Sequence, residues 1–304
     1  MAATTMISRT VMPKTKRRSA KSPYSYWFYA APAVIYGLFF LLPTVASLYF
    51  SLTRWTLFDA TFIGFDNFQQ FFTDPALLQG FVNTGIYAIV TTGLKVVFGM
   101  LFGVLLASQI FARGYLRSVV FFPTIVSTIG VGITFSALMN PEKGLINSAL
   151  AMIGIQGPHW LTDPHWALLS VALVDVWKGV GVATVIYMAG IVSIPNDYFE
   201  AAKIDGAGSF KTFTQIILPL ARPAAVTVTI LSVISGLRSF DLVWSMTSGG
   251  PGSASDVIAS VIYKEYQAGF FGLSSAGNVV LSLAVTAIAL PLSAFLNRKS
   301  KKDY

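Results

Sequence analysis

The sequence predicts an all-α integral membrane protein of about six transmembrane helices, with both termini cytoplasmic and a long cytoplasmic loop between helices four and five. Three observations lead there. Only 11% of the 304 residues are charged, where a soluble globular chain carries about 25%. Hydrophobic residues make up 54% and run in long stretches with few charges or none. Most of the 21 Lys and Arg, set against 13 Asp and Glu, gather in two tails and a few short loops.

A helix of about 20 apolar residues crosses a bilayer core, because lipid offers the backbone no partner and a helix satisfies its own groups. Ser22 to Thr53 contains no charge, and Phe28 to Leu52 reads as the first span. The second runs from Val82 to Ile110, interrupted by Lys95 alone. The third covers Ser118 to Met139. The fourth, Ala167 to Val192, carries Asp175 and Lys178, and the fifth, Ala224 to Trp244, carries Arg238 and Asp241. The sixth, Ala276 to Leu296, is charge-free. The first apolar run is too long for the core of a cleaved secretory signal, which spans roughly 7–15 residues.

Orientation follows from the basic residues. One side holds Arg9, Lys14, Lys16, Arg17, Arg18, Lys21, Arg113, Arg117, Lys203, Lys211, Arg222, Arg298, Lys299, Lys301 and Lys302. The other holds Arg54, Lys143 and Lys264. The basic side is cytoplasmic, so the formal charge of +8 reports topology and not nucleic-acid binding. The chain divides into a basic tail at 1–27, one transmembrane domain at 28–296 containing the loop 193–222, and a second basic tail at 297–304. With no cysteine, disulfides, thiolate metal sites and Cys nucleophiles are excluded. Neither HExxH nor GxSxG occurs, so no intramembrane hydrolase motif is present.

The loop Ser193 to Arg222 is too long for a simple connection. Pro195 and Asn196 stop the preceding span; Asp197 and Glu200 have capping-box spacing for a short helix. Gly206 and Gly208 permit a turn. Ser209 then caps a second segment, with Phe210, Phe213, Ile216 and Ile217 as its apolar face. On physical grounds alone, this helix–turn–helix reads equally as a surface for a partner or as an interfacial element resting on headgroups. Gly206 to Thr212 is not a phosphate loop, since the required glycines are replaced by Asp205 and Phe210.

The segment Glu200-Ala201-Ala202, three residues, Gly206, nine residues, Ile216, one residue, Leu218-Pro219 resembles the EAA signature of binding-protein-dependent ABC importers. Asp205-Gly206-Ala207, Met246-Thr247-Ser248-Gly249-Gly250-Pro251 and Phe62-Ile63-Gly64-Phe65-Asp66-Asn67-Phe68 are similar to the carbohydrate-type permeases, of the maltose and glycerol-phosphate permease kind. The resemblance implies a multi-pass permease of the cell inner membrane that moves a sugar, oligosaccharide or polyol derivative by alternating access. It implies three kinds of partner: a second permease subunit, an ATPase dimer carrying ATP and Mg, and an extracytoplasmic solute-binding protein. No cofactor belongs to this chain. Glu200, Ala201, Ala202, Asp205, Gly206 and Ala207 would form the coupling helix against the ATPase.

Charges within a span cost about 2.5–3.5 kcal/mol each on insertion scales, so each needs a reason. Asp175 with Lys178, and Arg238 with Asp241, have the i,i+3 spacing of helical ion pairs. They read either as locks on helix packing or, with Trp177, Phe240 and Trp244 beside them, as a hydrophilic substrate path through spans three to five. Lys95 lies one turn before Gly99, with Gly103 and Ala107 following, a stripe that lets helices approach closely. It therefore faces protein, where a carboxylate or carbonyl can meet it, and a packing role is favoured over a substrate role. His159, Asp163 and His165 have a spacing that matches no common metal site. The alternatives are an ion- or proton-coupled carrier with Asp175 and Lys178 as relay, and an ABC permease for a non-carbohydrate solute. The first type often shows internal repeats and broken helices in corresponding halves, and the sequence displays neither.

Overall fold

The computed structural model describes residues 27–56 and 58–300. The basic tail ahead of Trp27 and the cations Lys301 and Lys302 lie outside the described residues. The chain separates into two compact units, Met1–Ala46 and Ser47–Tyr304. The described part of the first is helical, with one wider π turn at Gly37–Leu41 in which Phe40 stacks on Tyr36. It belongs to helix α1 (Trp27–Phe50).

The second unit opens with a hairpin of two short antiparallel strands, β1 (Thr53–Trp55) and β2 (Ala60–Phe62). The Asn67 amide on α2 (Asp66–Thr73) donates to the carbonyls of Ser51 and Thr53 and fixes this cap. Two long helices then form the frame, α3 (Pro75–Ala107) and α7 (Pro164–Val192). Each starts on an aspartate that accepts from the backbone two residues on, Asp74 from Ala76 and Asp163 from His165, followed by proline in the first turn.

The stripe read on α3 is the contact. A β-carbon on Gly99 would lie 2.6 Å from that of Ala183, and one on Gly103 would lie 2.7 Å from that of Tyr187. Lys95 is buried on the same face. Gly99→Ala is therefore expected to lower stability by about 1–3 kcal/mol through overpacking. Gly93→Ala, with open space around it, should instead gain up to about 1 kcal/mol of helix propensity. Thermal unfolding of the two purified variants distinguishes them, and equal shifts would refute this contact.

Among the described residues, four helices are long and apolar enough to cross a membrane: α1, α3, α7 and α13 (Phe271–Ser300). Two bent pairs raise the number to six if each is one span. In the first, α4 (Arg113–Ile125) and α5 (Thr128–Leu138) meet at 98°; in the second, α9 (Ser209–Leu220) and α10 (Arg222–Leu237) meet at 67°. The sequence predicts spans three and five as continuous helices. The third breaks at Val126 and Ser127, and the fifth ends at Leu237 and resumes as α11 (Asp241–Thr247). Broken spans are thus present where the sequence displayed none. Between α4/α5 and α7 lies α6 (Leu145–Met152), and α12 (Ile258–Gln267) packs on α13.

The segment after α11 is clamped by charge. Buried Asp256 accepts from Lys264 Nζ at 2.6 Å and from Ser260 Oγ at 2.9 Å. Gly249 turns tightly over that carboxylate at φ +87°, leaving no room for a side chain. Asn83 of α3 donates to the carbonyls of Ser253, Ala254 and Asp256, tying the loop to the frame.

Candidate functional site

The two breaks face one cavity of about 270 Å3. Thr124 and Thr128 line it from either side of the α4/α5 break, and Ser235, Arg238, Ser239, Phe240 and Asp241 from the α10/α11 break. Asp175, Lys178 and Gly179 of α7 and Lys95 of α3 complete the wall. Irregular backbone at membrane depth is tolerated where it lines a cavity or is buried in protein. The cavity and the breaks therefore account for each other.

The ion pair inside it is not the one the spacing implied. Asp175 accepts from Lys95 Nζ at 2.7 Å, with side-chain exposures of 19% and 6%. Lys178, three residues along α7, instead turns to α4: its Nζ lies 3.5 Å from the Thr124 carbonyl, and Thr124 Oγ1 donates to the Lys178 carbonyl at 3.0 Å. The close approach of α3 to α7 explains the exchange, since Gly179 leaves the Lys95 side chain space beside Asp175. Arg238 and Asp241 form no ion pair among the described residues. Arg238 caps the end of α10 and Asp241 opens α11, so the helical i,i+3 geometry does not exist there.

The aromatic predictions divide. Phe240 lines the cavity. Trp177 lies outside that wall against Phe135, ring centres 5.1 Å apart, and Trp244 packs on Phe240 and Tyr263 at 5.8 and 4.9 Å. At the start of α7, Asp163 is engaged by the His165 backbone N–H, then by its ring, and these hold its carboxyl below the usual range.

The loop 193–222 folds as α8 (Asn196–Ile204), a turn and α9. Asp197 and Glu200 form no capping box: the N-cap is Pro195, which has no side-chain acceptor. Ser209 is the first residue of its helix and not its cap. What ends α8 is backbone geometry. Gly206 at φ +68° donates to Lys203 O and Ala207 donates to Ala202 O at 2.8 Å, the paired bonds of a Schellman turn. Glu200, Ala201, Asp205 and Gly206 are exposed, whereas Ala202 is buried. Phe199, Phe213 and Ile217 seat the loop on a core with Tyr187, Ile191 and Val228. Phe210 points away from it, 80% exposed.

Residues 96–301 match the family model of the binding-protein-dependent transport system inner membrane component. The chain belongs to this family. The permease is 32% identical over 287 residues to the trehalose/maltose transport system permease protein MalF of Thermococcus litoralis, covering 93% of this chain and 97% of the relative. It is 30% identical over 258 residues to the lactose transport system permease protein LacF of Rhizobium radiobacter, covering 83% and 86%. The fold is similar to that of a bacterial alginate ABC transporter crystallised with an alginate pentasaccharide-bound periplasmic protein. There the TM-score is 0.77 at 23% identity, over 91% of this chain and 95% of that one. The permease is therefore an inner-membrane component of an ABC importer, a transport subunit and not itself an enzyme.

Sequence reasoning missed Thr124, Thr128, Ser235 and Ser239 as cavity-lining groups of the permease. Lone hydroxyls inside apolar spans carry no periodic signal. Only their place beside the two breaks gives them meaning.

Proposed function

We propose that the permease passes a sugar, oligosaccharide or polyol derivative through the cavity at the two helix breaks, by alternating access. Its wall presents four hydroxyls beside three cations and two carboxylates, so it offers donors and acceptors without a strong single sign of charge. At about 270 Å3 it lies just under the roughly 300–1,000 Å3 of typical ligand pockets, a size for one ring at a time. The carbohydrates named for the relatives support this class. The observation that carries it is the convergence of both broken spans on one polar chamber.

In this reading both termini are cytoplasmic, and a solute-binding protein docks at the opposite end. A second permease subunit completes the path. An ATPase dimer binds ATP and Mg, hydrolyses the ATP, and grips the exposed face of α8 through Glu200, Ala201, Asp205 and Gly206. Screening the cognate binding protein calorimetrically against sugars and glycerol phosphates identifies the solute. In proteoliposomes, Thr128→Ala and Ser235→Ala should each raise KM about 2- to 10-fold, the loss of one hydrogen bond. Uptake indifferent to both substitutions would sink the cavity assignment. Uptake that survives ATP depletion and collapses with the proton gradient would instead favour an ion-coupled carrier.

A further inference from the structure

A larger cavity, about 770 Å3, opens where the end of α3 meets α4, the end of α7 and α8. Arg113, Arg117 and Lys203 line it, and among the described residues no Asp or Glu belongs to its wall. Arg117 spends one guanidinium N–H on the Leu106 carbonyl at 2.9 Å, but its Nε is buried with no partner among the described residues. Neither Arg113 nor Lys203 makes an ion pair among the described residues. A second cleft of about 290 Å3 adjoins this cavity, sharing Arg117 and Met188 with it. That cleft runs between α4 and α7 and is mainly apolar, with Leu106, Val120, Phe121 and Val185 in its wall.

We propose that these two spaces together hold one lipid with an anionic phosphate headgroup. The phosphate lies among Arg113, Arg117 and Lys203, and an acyl chain follows the cleft between α4 and α7. Three cations around one cavity repel each other until an anion joins them, and phosphate oxygens accept several charge-assisted bonds at once. Basic pockets between membrane helices take phospholipid headgroups for this reason. A free phosphate would use the basic half alone. The apolar half, continuous with it at Arg117 and Met188, selects an amphiphile. The occupant would bridge α4 to α8, because Phe199 and Lys203 line the same cavity. Lipid composition would thereby set how firmly α8 is seated. This inference does not rest on the identity of the transported solute.

The test is native mass spectrometry of the assembled importer after exchange into phosphatidylcholine with or without phosphatidylglycerol. Wild type should retain phosphatidylglycerol in preference to phosphatidylcholine. Arg113→Gln combined with Lys203→Gln should weaken that retention on the order of 10-fold or more, at about one kcal/mol for each cation removed. Val185→Trp, which fills the cleft, should weaken it while leaving the three cations in place. Unfolding temperatures in phosphatidylcholine alone show that the variants are folded. Equal retention by wild type and the double variant, or equal retention of the two lipids, overturns the site. Displacement by millimolar inorganic phosphate would assign the basic cavity to a free anion and overturn the lipid. None of these readouts measures transport, so their failure leaves the solute reading untouched.

Discussion

Lys95→Met is expected to abolish transport and to lower stability by about 3–5 kcal/mol, the usual cost of removing one partner from a buried pair. Asp175 would keep its carboxylate in the wall with no cation at 2.7 Å. Because Asp175 is still 19% exposed toward the cavity, the effect should fall at the lower end of that range. The double variant Lys95→Met/Asp175→Leu separates the two roles of the pair. Replacing both charges with apolar groups is often neutral or stabilising, so thermal unfolding should return close to wild type. Transport should not return, because the pair lines the chamber that Thr124, Thr128 and Ser235 share. A double variant that is stable and fully active would reduce the pair to a packing lock. That outcome would also remove Asp175 from the solute path.

The same pair shows what the sequence could and could not display. Gly99, Gly103 and Ala107 at four-residue steps announced a close helix contact and put Lys95 inside it, because small residues have one geometric consequence in a helix. The identity of its partner was hidden. Lys95 stands 80 positions from Asp175, while Lys178 stands three from it, and local spacing favours the nearer cation. Only the approach of α3 to α7, set by contacts such as Gly99 on Ala183, decides between them. The helix breaks were hidden for another reason. A span that is apolar on every side has no periodic stripe whose interruption would mark a break at Val126–Ser127, and at Arg238–Phe240 the i,i+3 spacing of Arg238 and Asp241 suited a continuous helix. The Asp256–Lys264 clamp was equally silent, since its eight-residue separation crosses from a loop into a helix. The loop 193–222 was more legible, for Pro195, Gly206 and Gly208 are punctuation that few other conformations use. Its two helices lie where those residues placed them, though the side-chain caps assigned to Glu200 and Ser209 do not form.

Glu200→Arg and Gly206→Pro should both uncouple the importer, by different routes. Glu200 is exposed and makes no ion pair among the described residues, so its reversal should change stability by no more than about 0.5 kcal/mol. If α8 is the element the ATPase grips, co-purification should nonetheless fall at least about tenfold, equivalent to 1.4 kcal/mol of interface energy. Gly206→Pro acts on the turn itself. Proline fixes φ near −65° and has no N–H, whereas position 206 needs φ +68° and donates to Lys203 O. The Schellman turn would open, and α8 would lose the angle at which Glu200, Ala201 and Asp205 are presented. The loop's seat on Tyr187 and Ile191 through Phe199 and Ile217 lies outside that turn, so membrane insertion should survive. Gly206→Ala provides the graded case, since alanine reaches positive φ at a cost of roughly 1–2 kcal/mol and keeps the donor. The expected order of ATPase association is wild type, then Gly206→Ala, then Gly206→Pro, measured by pull-down and by solute-stimulated ATP hydrolysis in reconstituted vesicles. If Gly206→Pro couples as well as wild type, the turn does not aim the contact. If Glu200→Arg also does, the ATPase grips a different face of the permease.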